Sequence, residues 1–505
     1  MKRTARLCLL IVSIVGLAIF FILHLGSQPP APASVLSTQS PTQIAHRVAD
    51  AGAASVFASV ESSLRQNASN PLSRLLLQLF VIITASFLIG RIFTRCGQPA
   101  VIGEMVAGIF LGPSLFGLLA PNVFQFVFAV SSLDALKLLS QIGVCLFMFA
   151  VGMELDVSEV RHKAQTAVVV SHSSIVIPYF LGVTLALFLY THLAQPGASF
   201  IAFALFMGIS MSITAFPMLV RILQDRGIFK TSLGSTATAC AAVDDVTAWS
   251  MLAFVVAIAH ATSMGSAAVS LGLVLIFVAL MLFVVKRNLP GWLGPALERS
   301  EPGKGALAVV LGVVLVSALS TELIGIHALF GAFLAGIIMP TAGGFRQKLV
   351  VRVENLSTVL LLPLFFAFTG LRTQIDLLNN VQDWLICFAI IGVATAGKLG
   401  GSALAARLTG MKWRESFQLG ALMNTRGLME LIALNIGYDM GILSQRIFTM
   451  LVIMALVTTV MTGPLLTLFG KRRPMPSSVS RAIPLGGVAE TRWEQRSPTR
   501  EGNSL

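Results

Sequence analysis

Apolar segments follow one another along most of the chain, and short polar loops separate them. Thirteen such segments can be counted, each long enough to span a lipid bilayer. They begin near residues 74, 100, 133, 165, 199, 233, 267, 304, 325, 352, 384, 414 and 445. The pattern predicts an all-α polytopic membrane protein, in which residues 73–470 form about 13 core transmembrane helices.

Basic residues occupy alternate loops between these segments. Arg161 and Lys163 lie in one such loop, whereas the intervening loops hold little beyond Arg372 and Arg446. Because Lys and Arg concentrate in cytoplasmic loops, this asymmetry predicts an odd number of core spans, with the C-terminus in the cytoplasm. The same distribution assigns the net charge of +13 to membrane loops and argues against nucleic-acid binding.

The two ends of the chain differ from its apolar middle. Residues 1–26 combine early basic residues with an apolar run, which fits either a signal peptide or a signal-anchor helix. The run is long for a signal peptide, yet residues 31–33 fit a cleavage point. Residues 27–72, rich in Pro, Ser, Ala and Gln, are expected to form a flexible extracytoplasmic linker, and residues 471–505 a disordered basic cytoplasmic tail.

Two adjacent acids lie near the middle of the apolar segment 233–259. A carboxylate at that depth costs about 2.5–3.5 kcal/mol, so Asp244 and Asp245 indicate a function rather than a contribution to stability. Neighbours on a helix point about 100° apart, so one acid can bind a cation while the other meets a different partner. The alternative is that both acids lie in a loop.

A single lysine, Lys398, lies at similar depth in a later apolar segment. A buried lysine needs an acidic partner to keep its charge, and Asp244 or Asp245 can provide it. The alternative is that its long side chain extends to the membrane surface, since Arg407 lies nearby in sequence.

Polar residues interrupt two further segments, at 212–217 and at 423–430. Transporters use such broken helices near the middle of the membrane, where helix ends and free carbonyls face the ion. A simple proline kink is the alternative for the first interruption. The broken segments are seven apart, and this odd offset predicts inverted repeats. The candidate residues here are Thr214, Pro217, Asn424, Thr425, Arg426 and Glu430.

The second segment carries an acid and a pair of glycines. Gly108 and Gly112 have the spacing that lets two membrane helices pack closely. Glu104 lies near the predicted inner end, where it can act in gating or face the membrane interface.

At these residues the chain resembles the monovalent cation:proton antiporter-2 family, which contains bacterial sodium/proton and potassium/proton antiporters and plant and fungal endomembrane cation/proton exchangers. The resemblance covers roughly residues 74–470, and its last motif is most similar to the plant and fungal branch and its bacterial relatives. The motifs that carry it are 98–117, 143–156, 212–223, 244–245, 325–336 and 413–437.

The resemblance implies a panel or dimer domain, a moving core domain and two unwound helices that cross beside the ion site. Asp245 would bind the transported cation and release a proton, Asp244 would pair with Lys398, and Thr214 would line the crossing. Arg426 and Glu430 would support the second broken helix. It further implies a homodimer in a bacterial inner membrane, and the adjacent acid pair favours electrogenic exchange.

These residues predict a secondary antiporter of Na⁺ or K⁺ and protons, in which a buried carboxylate holds either ion in turn. The alternative is an exporter of an organic substrate on the same inverted-repeat fold. The sequence offers neither a nucleophile–base pair nor metal-ligand spacing, and the five cysteines are scattered, so no enzymatic activity, cofactor or resident metal is expected.

Overall fold

The computed structural model of the chain describes residues 70–154, 164–260, 264–297 and 303–470. The expectations for residues 1–26, for the linker up to residue 69 and for the tail 471–505 lie outside these residues. Apart from one isolated bridge between Ala194 and Leu443, the described ranges contain no β-structure. The predicted all-α fold class is therefore confirmed.

Nineteen α-helices make up the described chain. The first ten are α1 (Pro71–Arg95), α2 (Ala100–Leu111), α3 (Pro121–Val127), α4 (Val130–Glu154), α5 (Ala164–Leu193), α6 (Phe200–Ser212), α7 (Phe216–Asp225), α8 (Ser232–His260), α9 (Met264–Ala279) and α10 (Lys286–Leu293). The others are α11 (Lys304–Ile324), α12 (Ala328–Ile337), α13 (Phe345–Leu356), α14 (Leu362–Arg372), α15 (Val381–Thr395), α16 (Gly401–Leu408), α17 (Trp413–Met423), α18 (Leu428–Asp439) and α19 (Gln445–Phe469).

These helices coincide with the apolar segments of the sequence. Among the described residues, ten helical stretches are long and apolar enough to cross a membrane, and α2 and α12 are shorter apolar helices. A helix, or two helices in succession, lies at each of the thirteen predicted segments. The number that crosses the bilayer stays a prediction.

The helices pack into two groups. The first, called the core bundle here, contains α5 to α8 and α15 to α19, and it includes both broken segments. The second, called the outer bundle, contains α1 to α4 and α11 to α14. Helix α9 packs against α8 on one side and against α11 on the other, and so links the two.

Gly108 and Gly112 set the close packing of α2 on α14 within the outer bundle. A Cβ atom on Gly108 would lie 2.2 Å from the Phe366 carbonyl oxygen, and one on Gly112 would lie 2.4 Å from that of Gly370. Only glycine permits this approach, and the structure agrees with the packing role expected from the spacing.

Candidate functional site

The backbone leaves the helical conformation at both interrupted segments. Residues 213–215 separate α6 from α7, and residues 424–427 separate α17 from α18. Pro217 lies in the first turn of α7. The N–H groups of a first turn have no partner within the helix, so a proline there costs no hydrogen bond. The chain leaves the helix at residues 213–215, before Pro217, so this break is not a simple proline kink.

The two breaks meet inside the core bundle. The Ala215 amide donates a hydrogen bond to the Thr425 carbonyl oxygen at 3.0 Å. The Thr214 hydroxyl lies 3.1 Å from the Met423 carbonyl oxygen at the end of α17. Four helix ends therefore converge on one point.

Two buried cations face the C-terminal end of α6. Arg426 donates hydrogen bonds to the carbonyl oxygens of Ser210 at 2.5 Å and Met211 at 2.7 Å. Lys398 donates to the carbonyl oxygen of Ser212. The last carbonyls of a helix have no partner within it and carry its partial negative charge. The two cations therefore satisfy the helix end that the break exposes.

Lys398 and Asp244 form an ion pair that is fully buried. The Lys398 Nζ lies 3.0 Å from Asp244 Oδ2. Ser171 donates to Asp244 Oδ1 at 2.7 Å, while Ser174 and Thr214 donate to Oδ2 at 2.8 and 2.5 Å. Asp244 thus lies inside α8 rather than in a loop, and Lys398 points into the protein rather than to its surface. Both oxygens of this carboxylate are satisfied.

A local change of helix geometry delivers Lys398 to this place. Residues Ala396–Gly400 form a turn of π-helix between α15 and α16. Such turns occur mostly inside longer helices and frequently at functional sites. A Cβ atom on the adjacent Gly397 would lie 2.9 Å from Leu181 Cδ1, so the glycine lets this turn approach α5. There the Lys398 ammonium also reaches the Ser174 carbonyl oxygen at 3.0 Å.

Asp245 has opposite surroundings. It is 1% exposed, and within the described chain neither of its carboxylate oxygens has a hydrogen-bond partner. The amide of Phe216 at the start of α7 faces it without reaching hydrogen-bond geometry. Asp245 borders a cleft that is too narrow to hold a water molecule, and the other lining residues are all apolar: Ile213, Ala248, Trp249, Leu252 and Met429. A buried carboxylate without a partner is costly, so it needs a proton or a cation.

Arg426 and Glu430 hold the second break together. Their side chains lie 2.9 Å apart and are fully buried. On α19, the Thr459 hydroxyl accepts a hydrogen bond from the Arg426 backbone amide at 3.1 Å. It also donates one to the Arg426 carbonyl oxygen at 2.8 Å. The Thr425 and Thr462 hydroxyls are 3.3 Å apart. These contacts fix Arg426 in the position from which it reaches α6.

Two candidate residues stand apart from these networks. Asn424 is fully buried at the end of α17, and its amide atoms have no hydrogen-bond partner in the described ranges. Glu104 on α2 is half-buried and is not among the groups that contact Asp244 or Lys398. Its charged neighbour is Arg221 on α7, so its part in gating stays a prediction.

Sequence reasoning did not find the hydroxyl groups that surround the site. Ser171 and Ser174 on α5, and Thr459 and Thr462 on α19, each lie three residues apart on one helix face. That spacing is a weak signal, because Ser and Thr in apolar helices commonly bond the carbonyl of their own preceding turn. Across the described residues, no group of three or more His, Cys, Asp and Glu side chains is arranged to hold a metal ion.

The chain is similar to known proteins over this same region. A family model described as sodium/hydrogen exchanger, transmembrane, matches residues 48–472. The chain is 42% identical over 398 residues to the Na(+)/H(+) antiporter NhaS4 of Synechocystis sp., covering 79% of this chain and 97% of that protein. It is 35% identical over 409 residues to the K(+)/H(+) antiporter 1 of Saccharomyces cerevisiae, covering 79% of this chain and 46% of the yeast protein.

A solved structure has the same fold. The sodium proton antiporter MjNhaP1 from Methanocaldococcus jannaschii superposes with a TM-score of 0.55 at 14% sequence identity, covering 79% of this chain and 100% of that one. At this identity the likeness concerns the fold alone.

Proposed function

The chain belongs to the sodium/hydrogen exchanger family, and from this premise we propose that it exchanges Na⁺ or K⁺ for protons across a membrane. The observation that carries the proposal is the contrast between the two acids. Asp244 is saturated with partners, whereas the carboxylate of Asp245 is buried and has none among the described residues. Asp245 is therefore the group to which a transported ion binds.

Exchange follows from competition at Asp245. A proton and a dehydrated cation each neutralise the buried carboxylate, and one carboxylate does not hold both. If the site faces the two sides of the membrane in turn, each passage of a cation in one direction is matched by protons in the other. The cation is the transported substrate, and no cofactor takes part.

Asp244 and Lys398 supply the second part of the proposal. Lys398 keeps its proton through Asp244 and the carbonyls around it. When the site opens and water enters, this pair can separate and exchange a second proton, so that the cycle moves net charge. We therefore propose electrogenic exchange.

Alternating access is assigned to movement of the core bundle against the outer bundle. All the residues of the proposed ion site lie in the core bundle, so they can travel together. We further propose a homodimer in a bacterial inner membrane, with the C-terminus in the cytoplasm as the loop charges predict.

Proteoliposomes containing the purified chain test the function directly. A pH-sensitive dye inside the vesicles reports proton movement when Na⁺, K⁺ or Li⁺ is added across a range of pH. We expect exchange with Na⁺ or K⁺, and none with Asp245→Asn. Cation-driven proton movement in that variant would remove Asp245 from its proposed role.

An exporter of organic substrates is not favoured by any observation. The cleft at Asp245 is narrow, and the charged groups around it are engaged with one another or with helix ends. The relatives named above are described as cation/proton antiporters. We propose no enzymatic activity.

A further inference from the structure

A polar contact joins the two bundles away from the ion site. Asp439 is the last residue of α18 in the core bundle, and Arg372 is the last residue of α14 in the outer bundle. The Arg372 Nη2 lies 2.6 Å from Asp439 Oδ1, and the Lys137 Nζ on α4 lies 3.4 Å from the same oxygen. One core carboxylate is thus held by two cations of the outer bundle.

Asn435 extends this contact by one helical turn. Arg372 Nη1 donates to Asn435 Oδ1 at 2.9 Å, and Asn435 Nδ2 donates to the Thr369 hydroxyl at 2.9 Å. The Arg372 guanidinium also stacks 5.0 Å from the ring centre of Tyr438 on α18. We call the four residues Lys137, Arg372, Asn435 and Asp439 the inter-bundle junction.

A small cavity borders the junction. It is partly open, has room for about 30 Å³, and is lined by residues from α4, α12, α14 and α18, and by His327 just before α12. Asn435 and Asp439, two of the four junction residues, form part of its wall. Ser140 on α4 also lines it.

The cavity and the cleft of Asp245 both have residues of α18 in their walls. Ile432 lines the cavity, and Met429, three residues earlier on the same helix, lines the cleft of Asp245. Residues three apart on a helix are neighbours on one face. Less than one turn of α18 therefore separates a residue that lines this cavity from one that lines the cleft of Asp245.

We propose that the inter-bundle junction is a gate, which closes one of the two access routes to Asp245 in this conformation and must open before the site faces that side. This inference rests on the proposed function. It names the residues that block one of the two access routes to Asp245. Arg372 ends α14 at a loop predicted to be outside, so the gate closes the extracytoplasmic route. Its ion pairs are partly exposed to solvent, at 14–34% of each side chain. Such pairs are weak enough to break in every cycle.

A reversible cross-link tests the gate in a chain whose cysteines have been replaced by alanine. The variant Thr369→Cys/Asn435→Cys joins the bundles at the junction. The matched control Gln78→Cys/Ser132→Cys replaces a 2.8 Å contact between α1 and α4, both in the outer bundle. We expect oxidation to stop exchange in the first variant, reduction to restore it, and the control to stay active. Full exchange by the oxidised junction variant, with the cross-link verified by mass spectrometry, would overturn the gate.

A second measurement does not depend on exchange. In the same background, Ser140→Cys places a thiol in the cavity, and a membrane-impermeant maleimide added outside reports access to it. Adding Asp439→Asn weakens the gate and is expected to raise the labelling rate about two- to fivefold. An unchanged rate would contradict the gate, while absence of exchange in the unaltered chain would contradict the proposed function alone.

Discussion

Asp244 and Asp245 are consecutive residues of α8 with opposite surroundings. Asp244 accepts hydrogen bonds from three hydroxyls and pairs with Lys398 at 3.0 Å, whereas the described structure gives the Asp245 carboxylate no hydrogen bond. The turn of about 100° between helix neighbours produces this division, since one side chain points to α5 and the other to the apolar cleft. Removing the charge of Asp244 therefore breaks a set of buried contacts, and removing that of Asp245 does not.

The two acids are expected to respond oppositely to removal of their charge. Asp245→Asn removes a buried charge without a partner and leaves the free energy of unfolding unchanged or raised. Asp244→Asn leaves Lys398 buried without its acid and is expected to lower the free energy of unfolding by about 3–5 kcal/mol. Thermal unfolding of both variants in the same detergent measures the difference. Equal destabilisation of the two would contradict the division of roles.

A double-mutant cycle measures the buried pair itself. Lys398→Met alone leaves Asp244 uncompensated, so it is expected to destabilise the protein as Asp244→Asn does. The double variant removes both charges and is expected to recover much of the loss, with a coupling energy on the order of 1–3 kcal/mol. If the double variant loses as much unfolding free energy as the two single variants together, the two side chains do not act as a pair.

Arg426 is expected to matter through its shape as well as its charge. Its planar guanidinium reaches two carbonyls of α6 and Glu430 at once, a geometry that lysine does not reproduce. Arg426→Lys is expected to cost about 1.5–3 kcal/mol of unfolding free energy through lost hydrogen bonds. Arg221→Lys is the matched control, since Arg221 pairs with Asp225 at the same spacing on the surface. That control should change stability by less than about 0.5 kcal/mol.

Much of the fold could be predicted because membrane helices have local signals. The length of the apolar runs predicted where the helices lie, and the polar residues that interrupt two of them predicted both breaks. The burial of Asp244, Asp245 and Lys398 could also be predicted, because charge in an apolar run is rare. These features depend on residues close together in sequence.

The rest depends on how distant helices are rotated against one another. The sequence left open which acid faces Lys398, because that choice depends on the phase of α8 relative to α5 and on the π-helical turn at Ala396–Gly400. The contact between Arg372 and Asp439 joins residues 67 positions apart. Asp439 does not stand out locally, and Arg372 stands out only as a basic residue beside a loop predicted to be outside.

Trp249 closes the cleft of Asp245 toward the outer bundle. It lies one turn after Asp245 on α8, and its ring centre is 5.3 Å from Phe330 and 6.0 Å from Phe333 on α12. Trp249→Ala opens this apolar contact and is expected to let water reach Asp245, so that protons cross without a cation. Trp249→Phe keeps an aromatic ring there and should stay coupled.

Proton entry into vesicles under an imposed pH gradient, without Na⁺ or K⁺, measures this leak. Trp292→Ala on α10 is the control, because Trp292 is 53% exposed, whereas Trp249 is 5% exposed. Both alanine variants are first compared by size-exclusion chromatography, since removing a buried tryptophan costs about 3–5 kcal/mol. A folded Trp249→Ala variant as tight to protons as the unaltered chain would show that the seal over Asp245 lies elsewhere.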